Sequence, residues 1–311
     1  PDALSITLDH LASQTLPSNE FDVVVVDDGS AEPLRLDTAA YPYALSVVRL
    51  ERAGAAAARN RGAQATAGRL LVFVDDDISL ASDALAAMRD ASAETGEAVI
   101  VGSIAERRVN GEGAAREMAP PPRAASMRPT ATQVAPMHFA DCMTGFLAVS
   151  RSAFERLGGF QDPTGGWPSW DDVDFGYRAH RAGLAIRRAL LAHAVHRDAA
   201  QATFEKTRDR WWRAAHSAAA LFARYPELLG ELPMFQDKVP IAWGRDPLDL
   251  IVRKALRRAT ATDVAMDVLV GCHRFLSTIG APSRLSDAVA GLAVRGAMTR
   301  GYRSGLRALG G

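Results

Sequence analysis

Three consecutive carboxylates, Asp75-Asp76-Asp77, stand directly after the apolar run Leu70-Leu71-Val72-Phe73-Val74. A short continuous apolar run fits a buried strand of a mostly parallel sheet. In such sheets ligands bind beyond the carboxyl ends of the strands, so the acids stand where chemistry is done. Adjacent negative charges repel one another, and water, basic neighbours or a hard divalent cation relieve that repulsion. Mg²⁺ or Mn²⁺ held by one or two carboxylates, with phosphate oxygens completing its shell, suits the pattern. A solvated acidic loop is the alternative reading of this stretch alone. The pattern recurs upstream, where Phe21 to Val26 runs into Asp27-Asp28-Gly29-Ser30.

Around these two strands the periodicity alternates between strand and helix. Pro1 to Gln14 has apolar residues at helical spacing, Leu45 to Leu50 reads as a strand, and Gly54 to Gly62 opens an Ala-rich helix carrying Arg59 and Arg61. Such a helix start can hold an anion through backbone N–H groups and Arg forks. A helix is expected over 81–95 and a strand over 98–107. The Gly-, Pro- and Ala-rich connection 110–141 is long enough to be a functional lid or a disordered insertion. A strand follows over 145–149 and a short helix over 151–157. Next comes a second acidic cluster, Trp170-Asp171-Asp172-Val173-Asp174, in a loop that also holds Trp167. Acids in the first turn of a helix complement its dipole, which alone would account for Asp171 or Asp172. Two neighbouring tryptophans suit a sugar-binding surface, although packing is their commoner role. A strand over 185–195 ends in His196.

Beyond that point the strand signals stop. Helical spacing covers 204–225, 247–260, 263–280 and 286–299, and Arg253, Lys254, Arg257 and Arg258 give the second of these helices a basic face. The chain therefore divides into an α/β region, 1–200, and an all-helical region, 201–311. Its charge divides likewise. From Gly244 to Gly311 eleven Lys and Arg face five Asp and Glu, a net of +6, and the remainder holds 25 against 31, a net of −6. The basic helical tail is expected to be a solvated surface, to touch a membrane surface peripherally, or to form a homodimer. No nucleic-acid partner is expected. Cys142 and Cys272 form no disulfide framework, which points to a reducing cytoplasm. No segment approaches the roughly 18 consecutive apolar residues of a membrane span.

Taken in chain order, these motifs resemble family 2 glycosyltransferases of the A-type, Rossmann-like fold. Val23 to Ser30 resembles the strand-DDGS signature, Gly54 through Arg59, Asn60 and Gly62 the G…ARN.G segment, and Asp75 to Asp77 the DXD motif. Gly145 to Phe160 resembles the acceptor-side strand and helix. Trp170 to Asp174 resembles the motif carrying the catalytic base, with Asp where the family usually has Glu, and His196 falls where the family often has a metal- or phosphate-contacting His. The resemblance covers residues 1–197 and implies a mostly parallel sheet flanked by helices. Relative to the family, a first strand that helps hold the nucleotide base is missing ahead of the opening helix.

The resemblance further implies an inverting transfer of a sugar from a nucleotide diphosphate, a UDP-sugar foremost, to an unidentified nucleophile. Asp27 and Asp28 would meet the base of the nucleotide, Arg59 the base or diphosphate, and Asp75, Asp76 and Trp170 the rest of the donor. Asp77, with Asp75 and His196, would hold Mn²⁺ or Mg²⁺. Asp172 would be the general base, with Asp171 and Asp174 as rivals. Two other readings are open. In one, Asp75 is the nucleophile and Asp77 the acid/base of a haloacid-dehalogenase-like phosphatase. In the other, the chain is a catalytically silent partner that binds nucleotide sugars.

Overall fold

The structure is a computed structural model that describes residues 2–109, 115–117, 133–162, 170–197 and 203–310. The chain forms two compact units, one of residues 1–161 and 171–201, the other of residues 162–170 and 202–311. The connection 110–141, read above as a lid or insertion, lies largely outside the described residues, as does Trp167.

In the first unit, α1 (Asp2–Ala12) precedes a parallel pair, β1 (Asp22–Asp28) and β2 (Ala44–Leu50), in which Asp27 lies opposite Arg49. After α2 (Ala55–Ala65) come β3 (Leu70–Val74), β4 (Ile78–Leu80), α3 (Ala84–Thr95) and β5 (Ala98–Val109). The short strands β6 (Ala115–Glu117) and β7 (Val134–Pro136) lead to β8 (Phe146–Ser150), α4 (Arg151–Arg156), α5 (Asp171–Arg181) and β9 (Ala185–His196). The main sheet has the order β3-β8-β5-β9-β4, with β6 added beside β5 and β7 beside β9. The α/β class holds, but the pairing is mixed rather than mostly parallel: β5–β9 runs parallel, whereas β3–β8, β5–β8, β4–β9 and β7–β9 run antiparallel. The apolar runs are the same in either direction, because a strand buried on both faces needs continuous hydrophobicity whichever way its neighbour runs.

The core lies under this sheet. Leu8 of α1, Ile78, Leu80, Met88, Ile100 and Phe146 are all essentially inaccessible and belong to one cluster. Gly102 is required here, since a Cβ at that position would lie 2.1 Å from the Phe146 ring. The link between β3 and β4 is only Asp75-Asp76-Asp77, so two buried strands fix the acid turn at both ends.

The second unit is helical: α6 (Phe204–Arg224), the single turns α7 (Leu228–Glu231) and α8 (Pro233–Gln236), α9 (Leu248–Thr260), α10 (Asp263–Thr278) and α11 (Ser283–Leu309). Thr203 and Thr262 cap α6 and α10 by accepting from the N–H groups of Lys206 and Ala265. The last helix starts before and ends well beyond the expected 286–299. Its glycines are contact points rather than breaks. A Cβ at Gly301 or Gly305 would lie 2.1 Å from the carbonyl oxygen of Trp212 or His216, so α11 and α6 approach backbone to backbone.

Candidate active site

Asp27 and Asp28 end β1 but serve different loops. The Asp27 carboxylate is buried and accepts the N–H groups of Ser30 and Leu34 at 2.9 and 3.1 Å, and the Arg49 guanidinium closes on it from β2. These donors hold its pKa far below the usual carboxylate range, the backbone N–H of Leu34 contributing most. Asp28 reaches across to the entry of α2 and accepts from the N–H groups of Ala53 and Gly54 at 2.6 and 2.9 Å. Both carboxylates thus brace the loops at this end of the sheet. Arg49 escaped the sequence reading, and its signal is positional: a parallel β1–β2 register sets it opposite Asp27.

On α2, Arg59 and Asn60 point at two parts of the same site. The Arg59 fork divides between two carboxylates, Nη1 to Asp171 Oδ2 at 2.6 Å and Nη2 to Asp75 Oδ1 at 2.9 Å, and its guanidinium lies 5.7 Å over the Phe160 ring. Lys has one compact ammonium and could not span both acids in this way. Asn60 pairs with the backbone of Phe160, donating to its carbonyl and accepting from its N–H, both at 2.8 Å. Gly159, in a left-handed conformation, leaves room for that clasp, because a Cβ there would lie 2.6 Å from Asn60 Oδ1.

The acid turn is held from its other side by residues the sequence reading passed over. Arg197, directly after β9, donates to the Asp77 carbonyl at 3.2 Å, to the Ala3 carbonyl at 2.7 Å and to Thr7 Oγ1 at 2.8 Å. The Thr7 hydroxyl in turn lies 2.7 Å from the Asp76 carbonyl. Gly145 leaves space for the Asp75 carboxylate, which would lie 3.2 Å from a Cβ there. The Asp76 side chain is exposed, while Asp75 and Asp77 are half-buried.

Asp77 and His196 meet because β4 and β9 pair antiparallel, setting Ile78 opposite His196; the Asp77 Oδ2 to His196 Nε2 distance is 3.2 Å. The Asp77 pKa is raised, first by burial and then by repulsion from Asp75 and Asp76, against which His196 pulls it down. A carboxylate short of compensation beside an imidazole is a donor pair that Mn²⁺ accepts. Among the described residues no group of three or more His, Cys, Asp or Glu converges to hold a metal. A divalent cation at this end of the acid turn could take this pair from the protein, with oxygens of a bound diphosphate and water suiting the remaining positions.

Asp172 opens α5 beside Asp171. Its Oδ1 accepts from the Val173 N–H at 2.7 Å, and the side chain is half-buried. Burial, then repulsion from Asp171, push its pKa up from 3.8 to about 6, with Arg59 and the Val173 N–H pulling the other way. Asp174, the other rival, is fully buried and bound by Arg178 at 2.7 Å, whose guanidinium also holds the Leu157 and Gly159 carbonyls. The structure therefore brings Arg59, Asp75, Asp171 and Asp172 together, and sets Asp77 against His196 at the other end of the acid turn. Trp170 belongs to the second unit: its indole N–H donates to the Ala214 carbonyl at 2.7 Å and its ring meets Phe235 edge-on.

Comparisons with known proteins agree with this architecture. The sequence profile of glycosyl transferase family 2 matches residues 1–158. Validoxylamine A glucosyltransferase of Streptomyces hygroscopicus subsp. limoneus is 31% identical over 210 residues, 59% of this chain and 46% of that protein. Glycosyltransferase AglE of Haloferax volcanii is 37% identical over 76 residues, 23% and 25% of the two chains. The chain thus spans about half, or less, of the length of these curated relatives. Among solved structures, the mannosyltransferase PcManGT from Pyrobaculum calidifontis in complex with GDP-Man and Mn²⁺ has a TM-score of 0.54 at 19% identity, over 96% of this chain and 83% of that one. GalNAc-T7 with UDP, GalNAc and Mn²⁺ has a TM-score of 0.50 at 16% identity, over 72% and 50%. Both likenesses show the A-type glycosyltransferase fold.

Proposed function

The chain belongs to glycosyl transferase family 2, and from that premise we propose that it moves a sugar from a nucleotide-diphosphate donor to a nucleophilic acceptor with inversion at the anomeric carbon. The observation that carries the reading is the Arg59 bridge: one guanidinium ties Asp75 of the acid turn to Asp171, the neighbour of Asp172. A donor-side acid and the candidate base are thereby held in one ionic cluster, as a single displacement requires.

Asp172 is the general base. It takes the acceptor's proton as the acceptor oxygen or nitrogen bonds to the anomeric carbon, while the bond from that carbon to the diphosphate oxygen breaks and its electron pair leaves with the diphosphate. A pKa of about 6 leaves Asp172 ionised at neutral pH, yet a stronger base than a free carboxylate. Asp77 and His196 would hold Mn²⁺, with Asp75 beside them; the cation, when bound, supplies charge neutralisation for the departing diphosphate. Asp75, Asp76 and Arg59 form the donor side. Asp27 and Asp28 shape the loops around the nucleotide, their carboxylates being committed to Ser30, Leu34 and Arg49 and to Ala53 and Gly54. A uridine donor is expected first. GDP-Man, the donor held in the Pyrobaculum complex, makes guanosine the second.

The test is release of nucleotide diphosphate from UDP-, GDP- and dTDP-sugars with Mn²⁺, in the native chain and in Asp77→Ala and Asp172→Asn. One donor should be turned over only with metal, and Asp77→Ala should lose that turnover at the Mn²⁺ concentration that just saturates the native chain. Asp172→Asn should bind the donor with little change and fail to transfer. Turnover untouched by either substitution would refute the assignment.

A further inference from the structure

One position of α1 departs from the pattern of its neighbours. Leu4, Leu8 and Leu11 pack on the core, and Thr7 lies on the same side of the helix with only 4% of its surface exposed. Valine has the same shape and would fill such a stripe with no polar atom to satisfy. A buried hydroxyl needs partners, and Thr7 finds them outside its helix. Its Oγ1 lies 2.7 Å from the Asp76 carbonyl and 3.0 Å from that of Ile78, both nearer than the Ala3 carbonyl one turn back, at 3.3 Å. The last is the acceptor that a helical threonine ordinarily uses.

Arg197 meets the same turn from the end of β9. Two consecutive residues hold Asp77: His196 Nε2 lies 3.2 Å from its carboxylate, while Arg197 donates to its carbonyl through the backbone N–H at 3.0 Å and through Nε at 3.2 Å. Nη2 of Arg197 then reaches the Ala3 carbonyl at 2.7 Å and the Thr7 hydroxyl at 2.8 Å, so one guanidinium ties α1, β9 and the turn together. Nη1 is buried and has no hydrogen-bond partner among the described residues. A guanidinium kept in place with one donor orphaned is kept for what its other arms hold. Within the turn the Ile78 N–H bonds the Asp75 carbonyl at 3.2 Å. Each of the three acids therefore has its carbonyl held, Asp75 by Ile78, Asp76 by Thr7 and Asp77 by Arg197.

We propose that Thr7 and Arg197 are positioning residues that set the cation affinity of the Asp77–His196 pair, acting through the backbone of the acid turn. A carboxylate oxygen and an imidazole nitrogen serve one ion well only if both are held within about 0.5 Å of their places. Asp77 sits in a three-residue link between two strands, and fixing its carbonyl fixes the origin from which its carboxylate reaches. Groups that orient a metal ligand from behind are typically worth about 10–100-fold in affinity. The inference rests on the metal-assisted reading above and adds to it two residues, on α1 and at the end of β9, that the reading does not use.

The experiment compares Thr7→Val, Thr7→Ser, Arg197→Lys and Leu8→Ala with the native chain in two readouts. One is the Mn²⁺ concentration giving half-maximal donor turnover; the other is hydrogen exchange of the Ile78 amide in metal-free protein. Thr7→Val should raise the Mn²⁺ requirement about tenfold, far more than it lowers turnover at saturating Mn²⁺, and should speed Ile78 exchange about tenfold. Thr7→Ser restores the hydroxyl and should return both readouts toward native. Arg197→Lys keeps the charge but not the fork, and should resemble Thr7→Val. Leu8→Ala opens the core beside Thr7 and leaves the hydroxyl in place, so it should lower the melting temperature without changing the Mn²⁺ requirement. An unchanged Mn²⁺ requirement or unchanged exchange in Thr7→Val would overturn the inference and leave glycosyl transfer standing. So would a requirement raised as much in Thr7→Ser or Leu8→Ala, or native behaviour in Arg197→Lys. A native chain that turned over no donor with metal would refute the transfer reading itself, and this inference with it.

Discussion

Replacing Asp172 by Asn removes the proposed base while keeping the side chain's shape, and it has a stability consequence opposite to its catalytic one. In the folded chain the carboxyl holds its proton to about pH 6, against a reference value of 3.8. Between those values the native state binds more protons than the unfolded state. Stability therefore falls as pH rises through this window, and the whole cost is present above about pH 6. A rise of this size corresponds to about 3 kcal/mol, an upper figure because an Asn amide must find its own partner. Asp172→Asn should accordingly be more stable than the native chain by about 1–3 kcal/mol at pH 7.5, with the gain shrinking toward zero near pH 4. Transfer should meanwhile drop by about 10²–10⁴-fold. Urea unfolding at the two pH values measures the first effect and initial rates the second. A variant no more stable at pH 7.5, or one whose stability difference ignores pH, would refute burial as the cause of the raised pKa. Retained transfer would refute Asp172 as the base.

The neighbours of Asp172 should move the acid limb of the pH–rate profile in opposite directions. Asp171→Asn removes a like charge and should lower the apparent pKa below about 6, whereas Arg59→Ala removes an opposing charge and should raise it; profiles of kcat/KM read both. Asp77→Ala and His196→Ala should each raise the Mn²⁺ concentration needed for half-maximal turnover by an order of magnitude or more, about the loss seen when a metal site is perturbed, and a chelator should silence the native chain. In α11, Gly301→Ala should destabilise by about 1–3 kcal/mol through its clash with the Trp212 carbonyl. Gly291→Ala in the same helix, with nothing within 4 Å of the added methyl, should stabilise by about 0.5–1 kcal/mol. Thermal melts of the two variants separate close packing from helix propensity.

What was legible in the sequence was what local periodicity encodes. The runs ending at Val26, Val74 and Val149 are strands because continuous apolar residues admit little else, and the helical region after His196 follows from its spacing. Direction of pairing was not legible, since β8 reads the same whether it runs with β3 or against it. The length of α11 was misjudged because glycine in isolation signals a break, and only the neighbouring carbonyls of Trp212 and His216 turn Gly301 and Gly305 into packing residues. Arg49 and Arg197 were passed over for the same reason. Each acts on a group far away in the chain, Asp27 in one case and the acid turn in the other, and carries no local motif. The basic face of α9 was legible in composition but not in use, because the Asp237 and Asp246 that neutralise Arg257 and Lys254 come from the preceding loops.

The acids at this end of the first unit are sorted by what satisfies them. Asp27 and Asp28 are saturated by backbone N–H groups and Arg49, so their charge holds loops in place. Asp75 and Asp171 share Arg59, and Asp174 has Arg178. Among the described residues Asp77 and Asp172 are the two carboxylates whose proton affinity is raised. A chain selecting for stability alone would relieve both, as it has relieved the acids beside them. Leaving one acid undercompensated next to an imidazole favours a cation, and leaving the other half-buried beside a like charge favours a proton. Those are the two species a displacement at a sugar diphosphate must manage: positive charge for the leaving group and a place for the acceptor's proton. The division also explains why Arg59 joins Asp75 to Asp171 and leaves Asp77 and Asp172 alone. Paired directly with a guanidinium, Asp172 would be a weaker base and Asp77 a poorer cation ligand, whereas a guanidinium bound to Asp171, one residue from Asp172, and to Asp75, two from Asp77, fixes the geometry and leaves the deficit in place.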